Sequence, residues 1–231
     1  MGEERRYRYF DLILGLFVAV LLISNIISVK AVLITIPFVN FRFPFDGGTL
    51  LFPVSYIFAD ILTEVYGYER SRRVIWSGFF GLVLMAFFVW LVGIIPADPS
   101  WKFQGSYQEL LMTAPRIALA SIIAYFAGEF GNSYILSRMK IITRGKYLWV
   151  RTIGSTVVGE FIDSLIFVTI AFYGVWPNSL LIQVFISNYI FKTLYEVGAT
   201  PLTYAITRWL KRQEAEDHYD YNANYNPFLL K

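Results

Sequence analysis

Residues 52–76 read FPVSYIFADILTEVYGYERSRRVIW. Pro53 suits the first turn of a helix, where its missing N–H costs nothing. The apolar run behind it carries only two charges, Asp60 and Glu64. They stand four residues apart and so project from one helix face, with Tyr56 one turn earlier. Gly67 interrupts the run, Arg70, Arg72 and Arg73 follow as a basic turn, and a cleaner apolar stretch begins at Val74. Two apolar helices joined by a short basic segment describe two bilayer crossings that meet on the cytoplasmic side, where Lys and Arg concentrate.

The pattern repeats in both directions. A first span is expected over about residues 10–34, followed by a loop marked by Pro37, Pro44 and Gly47-Gly48. The second covers about 49–66 and the third about 74–95, closed by Pro96. A polar loop leads to a fourth over about 115–139, a fifth over about 151–175 and a sixth over about 179–209 with an internal Pro201. The expected architecture is an all-α integral membrane protein, a bundle of six transmembrane helices. Residues 1–212 are expected to form this six-helix membrane domain and 213–231 a polar cytoplasmic tail without apolar periodicity. The sequence starts on no signal-peptide pattern: the first apolar run is too long and lacks a small-residue cleavage site.

Composition agrees. Of 231 residues, 56% are hydrophobic and 16% charged, against roughly 25% charged in soluble domains. The net charge of +3 is read as loop charge facing anionic lipid rather than as a nucleic-acid footprint. There is no cysteine and a single histidine, His218, which removes disulfides, thiolate metal sites and histidine-based zinc or triad chemistry. No metal or other cofactor is expected. Orientation follows from counting. Arg5, Arg6, Arg8, Arg70, Arg72, Arg73, Arg138, Lys140, Arg144, Lys146, Arg151, Arg208, Lys211, Arg212 and Lys231 fall on one side. Only Arg42, Lys102 and Arg116 fall on the other. Both termini are therefore assigned to the cytoplasm, in a multi-pass inner-membrane protein. Tyr7, Tyr9, Trp101, Tyr107, Tyr147, Trp149, Trp176 and Trp209 near span ends read as interfacial aromatic belts.

Eight ionisable side chains lie inside the expected spans: Lys30, Asp60, Glu64, Glu129, Glu160, Asp163, Lys192 and Glu196. Each costs about 2.5–3.5 kcal/mol at a helix centre, less near an end where it can reach the interface. Lys30, Glu129 and Glu196 admit that interfacial reading; the others point to a hydrated cavity. Glu160 and Asp163 are three apart, and Asn188, Lys192 and Glu196 form a stripe at four-residue spacing. Asn25 and Asn132 add amides. The expected substrate-lining set is Asp60, Glu64, Glu160, Asp163, Asn188, Lys192, Asn25 and Tyr56. Six acids against two bases also make proton or sodium linkage an expectation. Span three has no such polar group and, with Gly78 and Gly81, is read as facing lipid or a second copy, hence a homodimer. Ala120, Ala124 and Gly128 read as helix-packing positions.

Residues 52–76, with Phe52-Pro53, Tyr56, Asp60, Glu64, Tyr66-Gly67-Tyr68 and Arg72-Arg73, resemble the signature of the queuosine precursor transporter family, also described as vitamin uptake transporters. Residues 131–167 and the Ser24-Asn25 to Lys30 stretch are similar to it as well. The resemblance implies import of 7-cyano-7-deazaguanine and 7-aminomethyl-7-deazaguanine for salvage into tRNA. The residues suit such a base: a carboxylate accepts its N1–H and exocyclic amine together, an amide or lysine donates to O6, and aromatic rings stack on its faces. The alternatives are a substrate-binding subunit of an ATPase-energised importer and an intramembrane enzyme. The chain has no Walker A sequence and no H-E-x-x-H, so neither chemistry resides in its own motifs.

Overall fold

The computed structural model describes residues 7–36, 41–112, 115–174 and 177–229. Arg5, Arg6, Pro37, Trp176 and Lys231, named above for topology, lie outside these residues, as do the side chains of Arg42 and Arg116. The described chain is mainly helical: α1 (Phe10–Ile27), α2 (Phe52–Tyr66), α3 (Tyr68–Ile94), α4 (Gln104–Leu111), α5 (Pro115–Ile142), α6 (Leu148–Phe172) and α7 (Asn178–Glu214). Three of them, α1, α3 and α6, are long and apolar enough by composition alone to cross a bilayer. They bury only part of their apolar surface. On α3, Phe80, Leu84, Phe87, Phe88 and Trp90 point outward, an apolar exterior that suits lipid and not water.

The first span ends earlier than expected. Helix α1 stops at Ile27, and the β-branched run after it pairs as strand β1 (Ala31–Ile36) with β2 (Phe41–Asp46) in an antiparallel hairpin, Ala31 opposite Asp46 and Ile36 opposite Phe41. Val, Ile and Thr favour extended backbone, which hydropathy alone does not separate from a buried helix. Lys30 consequently lies beyond α1 and is exposed, not within a span. The polar loop after α3 also holds more structure than expected. Gln104 and Gln108 of α4 donate to the Gly93 carbonyl at 2.9 and 3.2 Å, and Tyr107 donates to that of Val89 at 3.2 Å.

Helix α2 is the central element, packed against α1, α3, α5 and α7. From Ser55 to Tyr66 all but Phe58 are buried. Gly67 alone forms the turn into α3, with φ 87° and ψ 169°, a conformation that glycine adopts without strain. The basic segment expected as a loop is therefore helical, and α3 begins at Tyr68. Its Gly78 faces Phe17 and Leu21 of α1, and Gly81 faces Val18. The two glycines thus serve packing inside this chain, which removes them as the argument for a second copy.

Helices α5 and α6 cross closely at Gly128 and Gly159. A Cβ on Gly128 would stand 2.5 Å from the Tyr56 hydroxyl and 3.1 Å from the Gly159 carbonyl oxygen. One on Gly159 would stand 2.8 Å from Asn132 Cβ. The absence of side chains lets the backbones meet with Tyr56 of α2 laid over the seam.

The residues after α7 pack onto the helix ends. The His218 amide donates to the Val65 carbonyl at 3.1 Å. Asp220, buried, accepts from the Tyr68 amide at 2.9 Å and the Ser137 hydroxyl at 2.6 Å. Arg72, also buried, donates to the Asn224 and Asn226 carbonyls at 2.6 and 2.9 Å, and the Trp76 indole donates to that of Pro227 at 2.8 Å. The tail shields the helix-end groups it binds.

Candidate functional site

Two buried polar clusters share α2, one turn apart. The four-residue spacing of Asp60 and Glu64, about 6 Å along the axis, sends each carboxylate to a different cluster.

Glu64 is clamped by cations. Arg151 of α6 approaches through Nη2 at 2.7 Å and Nε at 3.3 Å, and Lys211 of α7 lies at 2.6 Å. Lys140 of α5 stands 3.7 Å from its carboxylate and donates to its backbone carbonyl at 2.5 Å. Glu64, Arg151 and Lys140 are each at most 2% exposed. The tail closes the cluster: Asp217 bonds Lys140 at 2.6 Å and Lys211 at 2.8 Å. Burial pushes the Asp217 carboxyl up, but the two lysine hydrogen bonds outweigh it and hold it below its usual range. Glu64, Arg151, Tyr204, Thr207, Lys211 and Asp217 line part of a 420 Å³ cavity at this end of the bundle. A carboxylate so saturated with donors has little capacity left for a ligand.

The second cluster sits near mid-length of the helices. Asn132 of α5 donates to Asp60 Oδ1 at 2.6 Å. Lys192 of α7 binds Asp163 at 2.6 Å and Glu160 at 3.1 Å, both on α6, and its ammonium lies 4.6 Å from the Phe52 ring centroid. Phe52 packs on Tyr56, centroids 5.8 Å apart. Tyr56 lies within electrostatic reach of Asp163, Glu160 and Glu129. The cluster is short of partners. Asp60 Oδ2, Asn132 Oδ1, the Tyr56 and Thr156 hydroxyls, and both oxygens of Glu129 and of Glu196 are buried with no hydrogen-bond partner among the described residues. Folded proteins rarely leave so many polar atoms unsatisfied in one place, and such a concentration marks a place where a polar ligand can enter.

Of the expected residues, Asp60, Tyr56, Glu160, Asp163 and Lys192 therefore meet in one centre. Asn188, half-buried, stands one turn before Lys192 on the same helix. Glu64 belongs to the cationic cluster. Asn25 lies on the α1–α5 contact, where it donates to the Leu21 carbonyl at 3.0 Å and accepts from Ser121 at 3.2 Å. Glu129 and Glu196, assigned above to a possible interface, are 0% and 1% exposed and reach no interface. The cations around Glu64 were counted as loop charges. The signal that marks them is their place within the helices themselves, since Lys140 and Arg151 lie inside α5 and α6.

Residues 46–206 match the family described as "Putative vitamin uptake transporter". The chain belongs to that family. Relatives agree in kind. A Bacillus subtilis (strain 168) protein named "Probable queuosine precursor transporter" is 28% identical over 168 residues, covering 72% of this chain and 73% of its own. The Escherichia coli (strain K12) "Queuosine precursor transporter" is 23% identical over 176 residues, covering 74% and 76%. No solved structure matches. The relatives and the apolar helices identify a membrane transporter. The matched stretch holds Asp60, Glu129, Glu160, Asp163, Lys192 and Glu196, whereas Lys211 and the packed tail lie beyond it.

Proposed function

We propose that this transporter imports 7-deazaguanine precursors of queuosine and binds them in the mid-length polar centre. The observation that carries this reading is the set of unpartnered acceptors beside a lysine and two aromatic rings. Asp60 Oδ2 and Asn132 Oδ1 await donors, which the base's N1–H and exocyclic amine supply. Lys192, with Asn188 a turn away, donates to O6. Phe52 and Tyr56 offer ring faces for the flat heterocycle. Glu160 and Asp163 hold Lys192 in position. The names of the relatives support the substrate class, and a neutral base needs satisfied hydrogen bonds rather than a strong opposing charge.

In this reading α1, α2, α3, α5, α6 and α7 are the six spans, with both termini in the cytoplasm of an inner-membrane, multi-pass protein. The gathering of Arg70, Arg72, Lys140, Arg151 and Lys211 at the end where the tail packs supports that orientation. Residues 1–212 are the membrane domain and 213–231 the tail, whose described part folds back on the helix ends. A homodimer, if formed, uses the outward apolar face of α3, and crosslinking between copies at Phe87 in native membranes tests it. The function is tested by feeding low external 7-cyano-7-deazaguanine to cells that cannot make it. Expression of the chain should restore queuosine in tRNA, and absence of rescue by well-expressed protein refutes the substrate.

A further inference from the structure

The described residues after α7 do not trail away from the bundle; they run across it. Asp217 bonds Lys140 of α5 at 2.6 Å and Lys211 of α7 at 2.8 Å. The His218 amide donates to the Val65 carbonyl near the end of α2, and Lys140 donates to the His218 carbonyl at 2.6 Å. Asp220 accepts from the first amide of α3, that of Tyr68, at 2.9 Å and from the Ser137 hydroxyl of α5 at 2.6 Å. The Tyr225 carbonyl accepts from the Tyr68 hydroxyl at 3.2 Å. The Tyr225 hydroxyl lies 2.9 Å from that of Ser137, and its ring 5.0 Å from that of Tyr134. Arg72 and Trp76 of α3 hold the Asn224, Asn226 and Pro227 carbonyls. One stretch of chain, 217–227, thus joins α7 to α2, α3 and α5 at a single end of the bundle.

Three of these helices also build the polar centre: Asp60 is on α2, Asn132 on α5 and Lys192 on α7. The fourth, α6, is tied in at the same end through Arg151 and Glu64. The contacts of 217–227 suit repeated breaking. Among residues 217–228 only Asp220 is buried, so little apolar surface is committed to docking. The carbonyls and carboxylates that docking engages pass to water on release, and water replaces their partners. Moving elements of a working protein are drawn from such low-stability parts of a fold. The family match ends at residue 206, so this stretch lies outside the part shared with the family.

We propose that residues 217–227 are a strap that closes the cytoplasmic end of the transport pathway, an inference that rests on the transport reading above. Inward opening parts α7 from α2 and α5, breaks the strap's contacts and lets the base leave the polar centre. Redocking of the strap closes that end again before the outer side opens. The rate of inward opening then follows the fraction of molecules whose strap is released. Weakening the strap speeds exchange, and fixing it in place stops exchange.

The test follows exchange of internal for external radiolabelled 7-cyano-7-deazaguanine by the full chain in liposomes. The sequence has no cysteine, so Ser137→Cys combined with Asp220→Cys gives one thiol pair across the strap. A short bis-methanethiosulfonate bridges the pair and a reductant reopens it. Bridging should stop exchange and reductant should restore it, while the same reagent on either single variant leaves exchange running. Tyr225→Ala removes strap contacts alone and should speed exchange about threefold to tenfold, the worth of one net hydrogen bond. A strap that only stabilises the fold would instead lower the melting midpoint of Tyr225→Ala and leave its exchange rate as in wild type. That result overturns the proposal, and so does exchange that survives complete bridging. If the reduced double variant does not fold, the Tyr225→Ala rate decides. Absence of exchange in wild type refutes the substrate reading instead.

Discussion

Replacing Glu64 by Gln separates stability from substrate recognition along α2. The substitution keeps shape but removes the one charge that Arg151, Lys211 and Lys140 share at 2.7, 2.6 and 3.7 Å. It also sets an amide N–H₂ against a guanidinium. Removing one partner of a buried ion pair costs about 3–5 kcal/mol, because the remaining charge is left uncompensated. Asp217 offsets part of this on the lysine side but does not reach Arg151 in the contacts described. For a chain of this length about 1 kcal/mol corresponds to roughly 2–4 °C, so the midpoint should fall by about 6–20 °C. The assay is thermal unfolding of purified protein followed by tryptophan fluorescence at a fixed scan rate, since membrane-protein unfolding is seldom reversible. Asp60→Asn is the comparison. It faces Asn132 and no cation, so its midpoint should stay within about 3 °C while affinity for the deazaguanine falls tenfold to hundredfold, about 1–3 kcal/mol. A Glu64→Gln protein with a wild-type midpoint and abolished binding would refute the division of α2 into two clusters.

Gly128→Ala sets a Cβ 2.5 Å from the Tyr56 hydroxyl and 2.9 Å from Asp163 Cβ; it should destabilise by about 1–3 kcal/mol and weaken binding, as read by melting and titration, while Gly198→Ala, in open space, should be neutral. The Asp217 carboxyl is held below its usual range when folded, so its share of tail docking is complete above the ordinary value of about 4 and fades only as pH falls through the lower folded value. Hydrogen exchange at the His218 amide, corrected for intrinsic rate, should be flat from pH 8 to 5; protection lost by pH 6 contradicts that. Reporter fusions after Lys102 and after Lys146 should report opposite sides of the membrane, and the same side for both would reject six spans.

Much of the fold was legible because hydropathy and charge vary along the chain at bilayer scale: the long helices and the break at Gly67 read directly, whereas the basic turn expected after Gly67 is the first part of α3. The hairpin did not, since the residues 31–36, AVLITI, are as apolar as a helix and differ only in branching. The tail was missed because its docking uses backbone carbonyls, Asp220 and single aromatic rings, none of which leaves a periodic trace. At the site, the i, i+4 spacing of Asp60 and Glu64 correctly gives one face but hides that a buried helix meets different layers at successive turns. Glu129 and Glu196 were open to an interfacial reading because burial depends on neighbours. Gly128 beside Glu129, which admits α6 at the crossing, was the local sign of a deep position.

The central claim, that the mid-length polar centre binds a 7-deazaguanine for import, is tested most directly by uptake in liposomes containing the purified chain. Labelled 7-cyano-7-deazaguanine should enter saturably, guanine should compete less well than unlabelled substrate, and Asp60→Asn should need a tenfold to hundredfold higher concentration for half-maximal uptake. Uptake no greater than in empty liposomes, or uptake unchanged by Asp60→Asn and by Lys192→Met in folded protein, would contradict the account.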